Sequence, residues 1–117
     1  MSTRTVFACE SQPIVVEGLA KILSEAGDLR LLGSTQSLTE AVGAARELEP
    51  DVLLVDHAAG LKIVFQFIAD VKHVAPQCQP VLWTNDKAEI DCFRALQVGA
   101  RGVLRKTLPV ASVLQCL

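Results

Sequence analysis

Pro50-Asp51-Val52-Leu53-Leu54-Val55-Asp56 is the stretch from which the fold is read. Four apolar residues, Val52 to Val55, stand between a helix-stopping proline and a carboxylate, and two of them are β-branched. A run this short, apolar on both faces, suits a central strand of a parallel sheet covered by helices on each side. Asp56 then falls at the carboxyl end of that strand, the edge where open α/β sheets place their chemistry.

On the N-terminal side, Thr3 to Cys9 predicts a first strand that ends in the polar turn Glu10-Ser11-Gln12. Pro13 suits the first turn of a helix, because its missing N–H would have no partner there. Ile14, Val15, Leu19, Ile22, Leu23 and Ala26 recur at helical spacing as its inward stripe, and Gly27 ends it. Leu29 to Gly33 predicts a second strand. Ser37-Leu38-Thr39-Glu40 has capping-box form, with Ser37 as N-cap and Glu40 reaching back. Leu38, Ala41, Val42, Ala45 and Leu48 form the stripe of that second helix.

On the C-terminal side, Leu61, Val64, Phe67, Ile68, Val71 and Val74 form a third stripe, closed before Pro76. Pro80 to Thr84 predicts a fourth buried strand. Asn85 or Asp86 caps a fourth helix, with Phe93 and Leu96 inward and Gly99 just past its end. A short fifth strand surrounds Val103-Leu104, and Leu108 to Leu117 begins a fifth helix with Pro109 in its first turn. Strands alternating with helices in this way imply right-handed βαβ crossovers and a doubly wound α/β sheet in three layers.

The bulk composition narrows the function. Half of the 117 residues are hydrophobic and 21% are charged, which excludes a disordered segment. No apolar run approaches a membrane span and no leader opens the chain, so a cytoplasmic domain without a membrane partner is expected. A net charge of −2 argues against this segment gripping DNA by itself. Cys9, Cys78, Cys92 and Cys116 lack metal-ligand or C-x-x-C spacing and read as separate small hydrophobes in a reducing compartment. His57 neighbours Asp56, but adjacent strand residues point to opposite faces and a lone histidine completes no triad. His73 answers the dipole at the end of the third helix.

Four strands end in residues with chemistry: Glu10, Asp56, Thr84 and Lys106. In a parallel sheet they share one edge. Two carboxylates, a hydroxyl and an ammonium there suit a phosphoryl group and a hard divalent cation such as Mg2+, which takes one or two carboxylates plus water. Asp56 is the candidate nucleophile, accepting the group as an acyl phosphate, while Lys106 and Thr84 neutralise and hydrogen-bond its oxygens. Each has a plainer role. Asp56 can cap the next helix, Thr84 can be a β-former, Lys106 a solvated charge, and Glu10 a first-turn carboxylate. Their joint occurrence, one per strand in this order, favours the functional reading.

These residues carry a resemblance to the receiver domain of two-component response regulators, over essentially the whole chain. Pro13-Ile14-Val15-Val16-Glu17-Gly18-Leu19 resembles the H-P-x-x-x-x-G-L opening of the NarL/LuxR-type branch. Ala95 to Lys106 is similar to that family's G-A-x-G-x-x-x-K pattern, through Gly99-Ala100-Arg101-Gly102 and the terminal Lys106. The resemblance implies a flavodoxin-like sheet in the order 2-1-3-4-5. It also implies Asp56 as phosphoacceptor, Thr84 as switch hydroxyl, Lys106 as the phosphate contact, and Mg2+ held by Glu10, Asp56 and the backbone carbonyl of Ala58. The implied partners are a sensor histidine kinase or small acyl phosphate as donor, a second copy as homodimer, and DNA through a C-terminal helix-turn-helix outside residues 1–117. Three departures stand out. Ser11 replaces the second of two adjacent acids, Asp56-His57-Ala58-Ala59-Gly60 lacks the family's Met-Pro, and Val103 replaces the switch aromatic.

The rivals are weaker. An aspartyl phosphatase needs a second acid at Ala58, and a dinucleotide site or P-loop needs glycines where Glu10-Ser11-Gln12-Pro13 stands. The serious alternative is a degenerate receiver used as a phosphorylation-independent dimerisation or docking module. The expectation is thus a signalling receiver and not an enzyme, modified on Asp56 and controlling transcription.

Overall fold

Backbone pairing organises the chain around Val52–Val55, as its apolar pattern predicts. The computed structural model describes residues 3–56, 58–84, 92–106 and 109–117. His57, Asn85, Asp86 and Leu108 lie outside the described residues, as does the side chain of Phe93. In chain order the elements are β1 (Arg4–Cys9), α1 (Pro13–Glu25), β2 (Leu29–Thr35), α2 (Leu38–Leu48) and β3 (Val52–Val55). They continue with α3 (Leu61–Val74), β4 (Gln79–Thr84), α4 (Cys92–Gln97), β5 (Gly102–Arg105) and α5 (Val110–Cys116). The sheet has the order β2-β1-β3-β4-β5, and every pairing is parallel.

Strand alternation sorts the core onto two faces. Phe7, Cys9, Leu53, Val55 and Leu82 turn toward Ala41 and Ala45 of α2 and Val64, Phe67, Ile68 and Val71 of α3. Val6, Ala8, Val52, Leu54, Val81, Trp83 and Leu104 turn toward Leu19 and Leu23 of α1 and Val113 of α5. All of β3 is buried, to 1% exposure or less. Each such side chain contributes about 1.5–3 kcal/mol of transfer free energy, which explains why both faces of this strand must be apolar. No helix among the described residues is long and apolar enough to cross a membrane.

Four readings of single residues are corrected. Ile14 is 81% exposed, Leu48 49% and Leu96 50%; the inward positions on their helices are Leu19 and Leu23, Ala41 and Ala45, and Ala95. Ser37 does cap α2, accepting from Glu40 N at 3.2 Å. Glu40, however, does not reach back. Its Oε2 accepts from Thr35 Oγ1 at 2.6 Å, and Thr35 Oγ1 in turn accepts from Ser37 N at 3.1 Å. The longer β2, running two residues past Gly33, brings Thr35 into reach and relieves Glu40 of that task. Gly99 fills the predicted place past α4 with φ +117°, a backbone region that L side chains rarely adopt.

Candidate functional site

Three strands extend their ladder by one residue, and each extension delivers a charged side chain. Glu10 N donates to Thr35 O at 3.0 Å, Asp56 N to Cys9 O at 3.1 Å and Lys106 N to Thr84 O at 2.6 Å. Each lies two residues beyond a side chain on the α1/α5 face, namely Ala8, Leu54 and Leu104. Strand parity therefore sends Glu10, Asp56 and Lys106 toward one another at the carboxyl edge.

Glu10 is 2% exposed, and a charge so deeply buried must be paired. Its Oε1 lies 2.7 Å from Lys106 Nζ and its Oε2 accepts from Gln12 N at 2.9 Å. The Lys106 ammonium is thus the charge partner that this buried oxygen requires. Lys106 Nζ also reaches Gln12 Oε1 at 3.5 Å. Its stem lines a cavity of about 200 Å³ together with Val15, Leu19 and Ile22 of α1, Trp83 of β4 and Val113 of α5. Lys106 thus keeps its methylenes against apolar surface and its charge on Glu10.

Asp56 is held by its neighbours. Ser11 N donates to Asp56 Oδ2 at 2.8 Å, Ser11 Oγ donates to the same oxygen at 2.6 Å, and Ala58 N donates to Oδ1 at 3.2 Å. Burial pulls the Asp56 carboxyl up. The Ser11 side-chain and backbone bonds, the Ala58 bond and a contact with Glu10 outweigh it and hold the group below its ordinary 3.8. Asp56 is therefore ionised at neutral pH. Beneath it, burial first and then the charges of Asp56 and Glu10 push the Cys9 thiol up to about 12. Cys9 is a packed thiol and not a nucleophile. Thr84 is buried at 2% exposure at the end of β4, one strand over from Asp56.

The edge thus brings together Glu10, Asp56 and Lys106, and Thr84 ends β4 on the same edge, two residues beyond Leu82 of the α2/α3 face. Sequence reasoning missed the two donors of Ser11 and the bridging role of Gln12. The signal for Ser11 was a hydroxyl at the place of a second acid, which says that a ligand is lost but not that a donor is gained.

Among the described residues no group of three or more His, Cys, Asp or Glu side chains gathers to hold a metal. Mg2+ asks less than that, because it keeps several waters and accepts one or two carboxylates. Glu10 and Asp56 supply that number of carboxylates, and an ion there would compete with Lys106 Nζ, 2.7 Å from Glu10 Oε1, and with the two Ser11 donors on Asp56 Oδ2. Glu10, Asp56 and the Ala58 carbonyl are the groups that would hold it.

No family model matches the chain. Response regulator protein VraR of Staphylococcus aureus (strain NCTC 8325 / PS 47) is 25% identical over 107 residues, covering 92% of this chain and 51% of VraR. Methanol utilization control regulatory protein MoxX of Paracoccus denitrificans is 26% identical over 110 residues, covering 92% of this chain and 49% of MoxX. The chain spans about half the length of these curated relatives. The signal receiver domain of the response regulator NarL from Mycobacterium tuberculosis superposes with a TM-score of 0.84 at 25% identity, covering 99% of this chain and 97% of that one. The chain has the fold of these receiver domains and is similar in sequence to response regulators. A LuxR-family two-component response regulator from Aurantimonas shares the fold of this chain, with a TM-score of 0.85 at 20% identity over 97% of this chain and 81% of its own. The five-stranded parallel architecture is thus shared with these proteins, while Glu10-Ser11 and the stretch after Asp56 depart from the receiver sequence pattern.

Proposed function

We propose that this receiver domain accepts a phosphoryl group on Asp56 from a sensor histidine kinase or a small acyl phosphate, and thereby controls transcription through a C-terminal helix-turn-helix domain. The observation that carries the reading is the half-buried, ionised Asp56 carboxylate beside a buried Glu10–Lys106 ion pair of 2.7 Å. An oxygen lone pair of Asp56 would form the bond to phosphorus as the donor's P–N or P–O bond breaks, the leaving group keeping that electron pair. Lys106 would exchange Glu10 for the incoming oxygens, and its ammonium would offset their charge. Thr84 supplies a hydroxyl at the neighbouring strand end, and its movement would pass the change to α4, β5 and α5. A bound Mg2+, held by Glu10, Asp56 and the Ala58 carbonyl, would neutralise phosphoryl oxygens.

A second reading, a phosphorylation-independent docking or dimerisation module, is favoured by one observation. Oδ2 of Asp56 is already satisfied by two Ser11 donors. Intact mass after incubation with acetyl phosphate, with and without Mg2+, separates the two. One added phosphoryl group, absent in Asp56→Asn, is expected. No adduct on the unaltered chain under any condition assigns the domain to the second reading.

A further inference from the structure

Ser11 sits on an exposed turn, yet both of its donors converge on one oxygen of Asp56: the amide at 2.8 Å and the hydroxyl at 2.6 Å. A serine with no task would turn its hydroxyl to water. Instead Oγ–H gives Asp56 a short charge-assisted bond. Two donors fill the lone pairs of Oδ2 on the Ser11 side, while among the described residues Oδ1 accepts a single bond of 3.2 Å from Ala58 N. A hydroxyl proton aimed at a carboxylate oxygen occupies the position that a cation would take on that oxygen, and repels it.

We propose that Ser11 is a neutral stand-in for a cation at Asp56, holding Oδ2 and leaving Oδ1 as the reacting oxygen, so that a divalent ion must break the Ser11 hydroxyl bond to reach Oδ2. Ser11 is then a positioning residue that sets the cation requirement of the site. This rests on the reading of Glu10 and Asp56 as the cation-holding pair. The arrangement has two consequences. The carboxylate is oriented before any ion arrives, and cation affinity is set by the competition between ion and hydroxyl for one oxygen. Removing the hydroxyl while leaving the amide should therefore strengthen cation binding. A serine that served as a ligand would behave in the opposite way.

The test is a titration of the unphosphorylated chain with Mn2+, read by the loss of the free-ion electron paramagnetic resonance signal, with Mg2+ as competitor. Ser11→Ala should bind the ion about ten- to a hundredfold more tightly than the unaltered chain, the range expected for losing one hydrogen bond to a charged acceptor. Ser11→Thr, which keeps the hydroxyl, should stay at the original affinity, and adding Asp56→Asn should abolish the gain. Equal or weaker binding by Ser11→Ala, or an equal gain by Ser11→Thr, overturns the proposal. The phosphoacceptor reading is scored separately by adduct mass. A chain that takes no phosphoryl group yet gains cation affinity on losing the hydroxyl refutes that reading and leaves the role of Ser11 standing.

Discussion

Replacing Gly99 by alanine tests how β5, and with it Lys106, is set in place. Gly99 has φ +117°, and a Cβ added there would lie 2.6 Å from Lys72 Cγ. The backbone term alone costs about 1–3 kcal/mol for a side-chain-bearing residue in such a region. Lys72 has little freedom to yield, because its ammonium donates to Pro76 O at 2.7 Å and to Cys78 O at 3.3 Å. Moving it weakens both bonds and adds about 1 kcal/mol after allowance for their partial exposure. The sum is about 2–4 kcal/mol, or a fall of about 8–16 °C in Tm for a domain of this size. Urea and thermal denaturation followed by circular dichroism measure it. In a Lys72→Ala background the nearest remaining Lys72 atom is 3.6 Å from the new Cβ, an ordinary contact. The cost of Gly99→Ala should then drop by about 1 kcal/mol, leaving the backbone term. A loss below about 0.5 kcal/mol in the original chain refutes the strain argument. An identical loss in both backgrounds refutes the contact with Lys72.

Other outcomes follow from the same contacts. Asp51 Oδ2 accepts from Thr5 N at 2.8 Å and from Thr5 Oγ1 at 3.2 Å, so Asp51→Ala should cost about 1–3 kcal/mol in urea; a loss within error would show that these bonds are replaced by water. Native labelling with iodoacetamide should modify exposed Cys116 well before buried Cys9 and Cys78, and comparable rates at the three would contradict their burial. Burial holds the Cys9 thiol at about 12, and holds Cys78 at about 11 against the pull of Lys72. Both folded values lie above the ordinary 9.0, so their contribution to stability is complete below that pH and lost as pH rises toward the folded values. The urea midpoint should decline on the alkaline side, and a flat profile contradicts this. Asp56 has the opposite sign, because its folded value lies below 3.8. Its contribution is present above that pH and lost as pH falls through the folded value, so Asp56→Asn should show a shallower acid limb; matching limbs would refute the assignment.

How much of this could be read from residues alone depends on the length scale of the interaction. β3 was legible because burial on both faces leaves no alternative to Val52-Leu53-Leu54-Val55, and the strand order followed from resemblance of the whole chain. The helical stripes were legible as periods but not as widths. Ile14, Leu48 and Leu96 share the spacing of the core positions, yet each stands on the solvent side of its stripe, where only the packed partner decides. Side-chain hydrogen bonds were the least legible. Glu40 has two acceptable donors nearby, and the extra length of β2 chose Thr35. At Ser11 the sequence records the loss of a charge, while the gain of two donors depends on sub-ångström placement of the turn.

The backbone bonds that anchor Glu10, Asp56 and Lys106 to three different strands carry a consequence for how such a site changes over generations. Main-chain ladders do not depend on which side chain stands at a position, and they fix neighbouring strands about 4.8 Å apart. The scaffold therefore works like a rack with numbered slots, and one slot can be refilled while its neighbours keep their places. Such a rack explains how a chain with only a quarter of its residues in common with its relatives retains their shape. It also lets a serine stand at position 11 with both donors on Asp56 while Glu10 and Asp56 keep their places on the ladder.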